Sequence, residues 1–154
     1  MKKILSVFIA VLTFALVLTA CGKQANTPAT KEVADAIKES AKFDELLELT
    51  DDNIGKRYYG IDLEDIEEYT VYVCSNAAIG DEIAVFKMKE ADDVEDMLEV
   101  VRLRKQDRED ALVDYAPTEA DKVRNSVVSS NGNYVYFIVS SDKNAVKDAA
   151  ENCF

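Results

Sequence analysis

The sequence predicts an α+β domain, in which two hairpins separated by a long helix form a four-stranded antiparallel sheet with helices packed on it. Two observations predict the hairpins. A β-branched and aromatic run over residues 69–88 is divided by a turn-rich segment, and Asn131-Gly132 divides a second such run. The charged, helically periodic stretch 91–116 predicts the helix between them. Elements in this order favour a two-layer domain.

Composition narrows the function classes. The chain has 154 residues, with 18 Lys and Arg against 30 Asp and Glu, three cysteines and no histidine. Histidine is the commonest metal ligand and general base at neutral pH. Its absence, with only three cysteines, disfavours a structural zinc site and excludes serine–histidine and cysteine–histidine nucleophile pairs. The acidic balance disfavours nucleic acid, which binds clustered Lys and Arg. We therefore expect no cofactor, no metal, no nucleic-acid partner and no catalysis.

The first 20 residues have the order of a secretory signal peptide. Lys2 and Lys3 precede the uncharged segment Ile4–Val17. The residues that follow resemble the lipobox of bacterial lipoproteins, in which an aliphatic residue, a small residue and Ala or Gly precede cysteine: Leu18, Thr19, Ala20 and Cys21. The resemblance implies that Cys21 becomes the mature N-terminus and carries diacylglycerol, with acyl chains such as palmitate that anchor it in the membrane. An uncleaved transmembrane helix is the alternative, at the short limit for a span.

A tether and the start of the domain come next. Residues 21–30 are small and polar and contain Pro28, which predicts a flexible, lipid-anchored tether. The domain is expected to span residues 31–154. It would begin with an amphipathic helix at Lys31–Phe43, whose first turn Thr30 can cap.

A short helix is predicted between this first helix and the first hairpin. Thr50 and the acids after it are a helix start signal, and the helix would end near Tyr58-Tyr59 with Gly60 in the left-handed conformation. Residues 62–68 are predicted to be one helical turn or a loop. The first two strands are then Tyr69–Ser75 and Glu82–Met88.

The second half of the domain has the clearest local signals. The long helix covers Ala91–Ala116, and Pro117 either ends it or starts a short helix. Ser126–Ser130 and Asn133–Ser140 flank Asn131-Gly132, which predicts a hairpin with a type I′ turn. A last helix, Asp142–Asn152, completes the chain.

Five short motifs of the globular part follow one another in order: Tyr59-Gly60-Ile61-Asp62, Asp81-Glu82-Ile83-Ala84-Val85, Arg102 with Gln106, Tyr115-Ala116-Pro117 and Asn131-Gly132-Asn133-Tyr134-Val135. Together they resemble a family of small lipoproteins from Gram-positive anaerobes, classed as domain of unknown function 4358. The resemblance covers residues 44–140 and implies one compact domain, a lipoprotein address and a host with a single membrane. It implies no activity, so no site residues transfer. Arg104 and Lys105 depart from the family pattern by making their helix more basic.

A basic cluster stands out on the long helix: Arg102, Arg104, Lys105 and Arg108. Helical spacing puts Arg104 and Arg108 on one face. One interpretation is that this surface binds a phosphate, a carboxylate or a wall polymer. The other is that acids along the same helix form spaced ion pairs with these residues, as is common on surface helices.

Tyrosines on the predicted strands form a second candidate surface. Tyr134 and Tyr136 share one face of their strand, and Phe137 points to the other. An open tyrosine face would bind sugar or protein. A covered face would make these tyrosines part of the core, with their hydroxyls reaching water.

Two cysteines remain after lipidation, Cys74 and Cys153. Outside the membrane they could form a disulfide that joins the first strand to the C-terminal tail. Burial of Cys74 as a small hydrophobe is the alternative. The acidic runs at 51–52, 62–65 and 92–93 lack the spacing of a calcium loop, so they are predicted to be solvated carboxylates.

These observations predict an envelope protein that Cys21 anchors to the extracytoplasmic face of the cell membrane. The leading hypothesis is a non-catalytic module that binds an envelope protein or a cell-wall component. The alternatives are an envelope hydrolase that uses an Asp/Glu pair and an accessory protein of a transporter. The candidate binding residues are Arg102, Arg104, Arg108, Tyr134 and Tyr136.

Overall fold

The computed structural model describes residues 27–50, 55–60 and 64–154. In these segments the chain forms one antiparallel sheet of five strands: β1 Leu46–Glu48, β2 Ile66–Cys74, β3 Glu82–Met88, β4 Val127–Asn131 and β5 Tyr134–Val139. Their order across the sheet is β1-β2-β3-β5-β4. The α+β class is thus confirmed, and the strand number of four is corrected to five.

The helices lie on both faces of the sheet. They are α1 Thr30–Ser40, α2 Val94–Leu112, α3 Pro117–Arg124 and α4 Lys143–Glu151, with a π-helical turn at Gly55–Tyr59 and a 3₁₀ turn at Ala91–Asp93. Helices α1 and α4 cover one face, while α2, α3 and the π-helical turn cover the other. The expectation of two layers is therefore wrong. No helix in the described segments is long and apolar enough to cross a bilayer.

The central strands explain why both faces are covered. On β3 and β5 the side chains Phe86 and Phe137 enter the core under α2, whereas Ile83 and Tyr136 enter the core under α1 and α4. All four are buried. Burying a large apolar side chain stabilises the fold by about 1.5–3 kcal/mol. A strand that is apolar on both sides gains this stabilisation on each side only if helices cover both faces of the sheet.

Strand β1 is the element that the sequence did not predict. Its three residues pair with the end of β2, with Leu46 opposite Cys74 and Glu48 opposite Tyr72. Leu47 is half exposed. A strand of three residues with exposed side chains has no alternation to detect, so its conformation depends on the partner strand.

The second hairpin is confirmed, but its turn type is not. Asn131 pairs with Tyr134, so Gly132 and Asn133 form the two-residue loop. Gly132 has φ of 54°, and no described non-glycine residue has a positive φ. A type I′ turn requires positive φ at both central residues, so the loop fits type II′, which needs it only at the first.

Several element boundaries agree with the prediction, and the start of β2 differs from it. Strand Glu82–Met88 is as predicted, Pro117 begins a new helix, and Gly60 is left-handed with φ of 69°. Strand β2 begins at Ile66, so the last residues of 62–68 are extended rather than helix or loop. The predicted helix start after Thr50 lies mostly outside the described residues.

The domain begins earlier than the predicted tether allows. Ala29, not Thr30, is the N-cap of α1, and Thr30 is a buried helical residue whose hydroxyl lies 3.0 Å from that of Thr70. The hydroxyl of Tyr134 donates to the carbonyl of Pro28 at 2.6 Å. Residues 28–30 therefore belong to the folded domain rather than to a flexible tether. Residues 21–26 lie outside the described segments.

Candidate functional site

A polar pocket of about 280 Å³ opens where α2 passes the ends of β2 and β3. It lies beside the β2–β3 connection, at the sheet end opposite the β4–β5 turn. We call it the arginine pocket, and its walls are Tyr58, Val73, Cys74, Ser75, Ala77, Asp81, Glu82, Arg104 and Arg108.

The floor of the arginine pocket is a buried ion pair. Glu82 is the first residue of β3 and is 1% exposed, because alternation along the strand points it to the same face as Phe86. The guanidinium of Arg104 donates from Nε and Nη2 to the two carboxylate oxygens at 3.1 and 2.7 Å. The hydroxyl of Tyr59 donates to Oε1 at 2.7 Å. The Glu82 carboxylate therefore accepts three hydrogen bonds, all from groups of the protein itself.

The same group fixes the protonation of its members. Burial raises the pKa of Tyr59 well above its ordinary value, and the negative charge of Glu82 raises it further. Burial acts to lower the pKa of Arg104, but the charge and hydrogen bonds of Glu82 outweigh it and leave that pKa raised. The Arg104 guanidinium also lies 5.3 Å from the ring centroid of Tyr58. At neutral pH Tyr59 stays protonated and Arg104 stays charged.

A second group of charges joins α3 to the wall of the pocket. Lys122 donates to Asp81 at 2.6 Å and lies 2.7 Å from Glu119. The other carboxylate oxygen of Asp81 accepts from the backbone of Asp44 at 2.9 Å, and Glu119 accepts from the backbone of Gly80 at 2.8 Å. Burial acts to raise the pKa of Glu119, but the hydrogen bonds from Lys122 and the Gly80 backbone, with the positive charges of Lys122 and Arg108, together outweigh it and lower that pKa. These contacts hold the β2–β3 connection against α3.

Arg108 is bound differently from the other cations of the pocket. Its Nη2 donates to the backbone carbonyls of Ala77 and Ile79, both at 2.8 Å. Among the described residues no carboxylate forms an ion pair with this guanidinium. Two neutral carbonyls hold the side chain in place without cancelling its charge.

The basic cluster predicted on α2 divides into two parts. Arg104 and Arg108 come together in the arginine pocket, as their spacing predicted. Arg102 is half exposed and forms ion pairs with Glu95 and Glu99 at 3.0 and 3.3 Å. The interpretation of spaced ion pairs along the helix therefore holds for Arg102, whereas the ionic partner of Arg104 lies on β3.

The predicted tyrosine surface is covered. Tyr134 and Tyr136 are 4% and 1% exposed and lie in the core under α1 and α4, while Phe137 points to the other face as expected. The ring of Tyr134 packs against Phe154, with centroids 4.7 Å apart. The interpretation of an open tyrosine platform is wrong.

Cys74 and Cys153 do not form a disulfide in the structure. Cys74 lies in the wall of the arginine pocket, whereas the thiol of Cys153 donates to the carbonyl of Ala149 at 3.2 Å. Within the described segments, no group of three or more Cys, Asp or Glu side chains is placed to hold a metal ion. Leu18, Thr19, Ala20 and Cys21 lie outside those segments.

Sequence reasoning missed the acidic half of the site. Asp81 and Glu82 begin the family motif at residues 81–85, but the sequence did not mark either of them as a candidate binding residue. One signal was present: on β3, Glu82 falls in alternation with Ala84 and Phe86, which puts a charge on an apolar face. Such a charge requires a buried partner, and the basic residues of α2 were the available ones.

The chain matches a known protein family. A family model described as "Domain of unknown function (DUF4358)" matches residues 39–140. This range contains the whole sheet and every residue of the arginine pocket, whereas α4 and nearly all of α1 lie outside it. No curated protein and no solved structure matches the chain.

Proposed function

The chain belongs to the family of the Domain of unknown function (DUF4358), and we propose that it is a lipid-anchored, non-catalytic binding protein of the cell envelope. In this proposal Cys21 carries the anchor and the arginine pocket is the binding site. One observation carries the proposal: the pocket lies at the opposite end of the sheet from the point where the N-terminal segment joins the domain.

The attachment end is defined by contacts of the first described residues. Pro28 accepts a hydrogen bond from Tyr134, and Thr27 lines a surface depression together with Gly132 of the β4–β5 turn. Six peptide steps separate Cys21 from Thr27, which span at most about 20 Å when fully extended. A lipid on Cys21 would therefore hold this end of the domain close to the bilayer.

The pocket end points the other way. On β3, Lys87 pairs with Tyr134 near the attachment end, and Glu82 in the pocket floor is five residues away along the strand. At about 3.4 Å per residue this is roughly 17 Å. An anchored domain would thus present the arginine pocket toward the envelope rather than toward the lipid.

The chemistry of the pocket favours binding over hydrolysis. A carboxylate pair that hydrolyses glycosidic bonds needs one member able to donate a proton and another able to attack or to activate water. Glu82 accepts three hydrogen bonds from Arg104 and Tyr59, and Asp81 is bound by Lys122 and a backbone N–H. Both acids are thus engaged within the protein, which supports a binding role.

The anchor is tested by the intact mass of the protein extracted from membranes. We expect the mass of residues 21–154 plus acyl chains, and we expect Cys21→Ala to abolish both cleavage and acylation. Cys74→Ala is the matched control, because it removes a thiol outside the lipobox and should leave the lipidated mass otherwise unchanged. An unprocessed mass in the wild-type protein would contradict the anchor.

The position of the binding site is tested by photo-crosslinking in intact cells. A benzophenone amino acid at Ser75, on the pocket wall, should crosslink to an envelope component outside the membrane. The same group at Asn131, beside the attachment end, should crosslink to lipid or not at all. Equal crosslinking of one envelope component at both positions would contradict a binding site in the arginine pocket.

A further inference from the structure

Six charged side chains form or border the arginine pocket, and five of them contact an opposite charge directly. Glu82 pairs with Arg104, and Lys122 pairs with both Asp81 and Glu119. Arg108 is the sixth, and within the described part of the chain its hydrogen bonds go to the backbone carbonyls of Ala77 and Ile79. The pocket therefore contains one cation that is held in position by neutral groups and that no described carboxylate contacts directly.

The unused donors of Arg108 are suited to an anion. A guanidinium has five N–H donors, and the two recorded hydrogen bonds both use Nη2. Among the described residues no acceptor bonds to Nε or Nη1. Because Ala77 and Ile79 already fix the side chain, an anion would meet donors that need little further ordering, which favours binding.

We propose that Arg108 binds the carboxylate group of a small organic ligand, with the apolar part of that ligand packed against Tyr58 and Val73 in the arginine pocket. The inference rests on the proposed binding function and names the ligand class for that site. A carboxylate would accept charge-assisted hydrogen bonds from the guanidinium, which are shorter and stronger than neutral ones.

Charge balance favours a carboxylate over a phosphate. The three cations and three carboxylates around the pocket cancel before any ligand binds, so a monoanion adds one negative charge and a phosphate close to two. Glu82 and Asp81, which are 1% and 4% exposed, would repel the second charge at short range. The chain as a whole carries a formal charge of −12, which adds to that repulsion.

The size and lining of the pocket set the rest of the ligand. A volume of about 280 Å³ is near the lower limit of ligand pockets, so it suits a small acid or the C-terminal group of a peptide. The ring of Tyr58 and the side chain of Val73 offer apolar surface beside the charge. An acylated small amino acid has both parts.

The experiment titrates the full-length protein, purified in detergent, with N-acetyl-alanine and follows the side-chain N–H resonances of Arg108 by NMR. N-acetyl-alanine amide is the matched probe without the charge, and inorganic phosphate is the competing anion. We expect saturable shifts with N-acetyl-alanine, none with the amide, and binding of phosphate that is about tenfold weaker. Equal binding of the amide, or tighter binding of phosphate, would overturn the carboxylate assignment.

Three variants separate a specific site from a structural effect. Arg108→Gln should weaken N-acetyl-alanine binding about tenfold or more, and Arg108→Lys, which keeps the charge but loses the planar fork, should lie between. Arg102→Gln, on the exposed part of the same helix, should bind as the wild type does. A melting curve for each variant checks that it is folded. Unchanged binding in folded Arg108→Gln contradicts the inference.

Failure here and failure of the proposed function give different results. If N-acetyl-alanine does not bind but the benzophenone at Ser75 still crosslinks to an envelope component, the pocket is a binding site and the ligand class is wrong. If that crosslink is absent as well, the binding function assigned to the pocket is itself contradicted.

Discussion

The two faces of the sheet bury polar groups in contrasting ways. Under α1 and α4 two buried tyrosines donate hydrogen bonds, Tyr134 to the neutral carbonyl of Pro28 and Tyr72 to the partly exposed Asp35. Under α2 and α3 a full ion pair, Glu82 with Arg104, lies within the packed structure. Both faces are otherwise apolar cores of comparable composition.

The difference distinguishes a face built for stability from one that retains charge at a cost. Burying a hydrogen-bonded tyrosine hydroxyl costs less desolvation than burying two charges, which costs several kcal/mol that their attraction only offsets. Apolar side chains of similar volume would often be at least as stable at such a place. The charges at the arginine pocket therefore fit a role in binding better than a role in stabilising the fold.

The largest expected effect comes from removing one half of the ion pair. Glu82→Gln leaves the Arg104 guanidinium mostly buried without a counter-charge and should lower the free energy of unfolding by about 3 kcal/mol, measured by urea denaturation. Glu82→Gln combined with Arg104→Met should lose much less than the two single variants together. A single variant within about 0.5 kcal/mol of wild type would remove the contrast between the faces.

A matched pair of tyrosine variants compares the faces directly. Tyr59→Phe removes a hydrogen bond to a charged acceptor, so we expect a loss of about 2 kcal/mol. Tyr134→Phe removes a hydrogen bond to a neutral carbonyl, for which about 1 kcal/mol is expected. Urea unfolding of both variants at pH 7 measures the difference, and the reverse order would mean that the charged group contributes nothing extra.

The pH dependence of stability should be sensitive to Glu119. Its pKa is lowered in the folded protein, so its contribution is complete above the ordinary value of 4.5 and is lost as the pH falls below that value. The urea midpoint of Glu119→Gln should therefore decrease less than that of the wild type between pH 6 and about pH 3. Parallel pH profiles for the two proteins would show that the Lys122 contact does not stabilise the α3 side of the pocket.

The smallest effect is expected for Arg102→Ala. Arg102 is half exposed and its pairs with Glu95 and Glu99 are in contact with water, so thermal and urea midpoints should stay within measurement error of wild type. Arg104→Ala, two residues further along the same helix, should be clearly destabilised in the same assay. Equal effects would mean that burial does not separate the two arginines.

Much of the fold follows from local signals. The strand Glu82–Met88, the new helix at Pro117 and the β4–β5 hairpin were all predictable, because β propensity, a missing N–H and a Gly at a tight turn act over a few residues. Strand β1 was not, because only its partner makes it a strand. The two covered faces were missed because continuous apolar strands indicate double coverage only when all helices are placed.

The sequence by itself determined which segments form helices and most of the strands, where the β4–β5 turn lies, and that Arg104 and Arg108 share one face of α2. It also predicts the lipidated Cys21. The tertiary structure alone decided that Glu82 neutralises Arg104, that two backbone carbonyls hold Arg108, and that Tyr134 and Tyr136 are covered. The reason is physical: helix spacing and turns depend on neighbours along the chain, whereas the neutralisation of a charge depends on which distant strand the packing brings beside it.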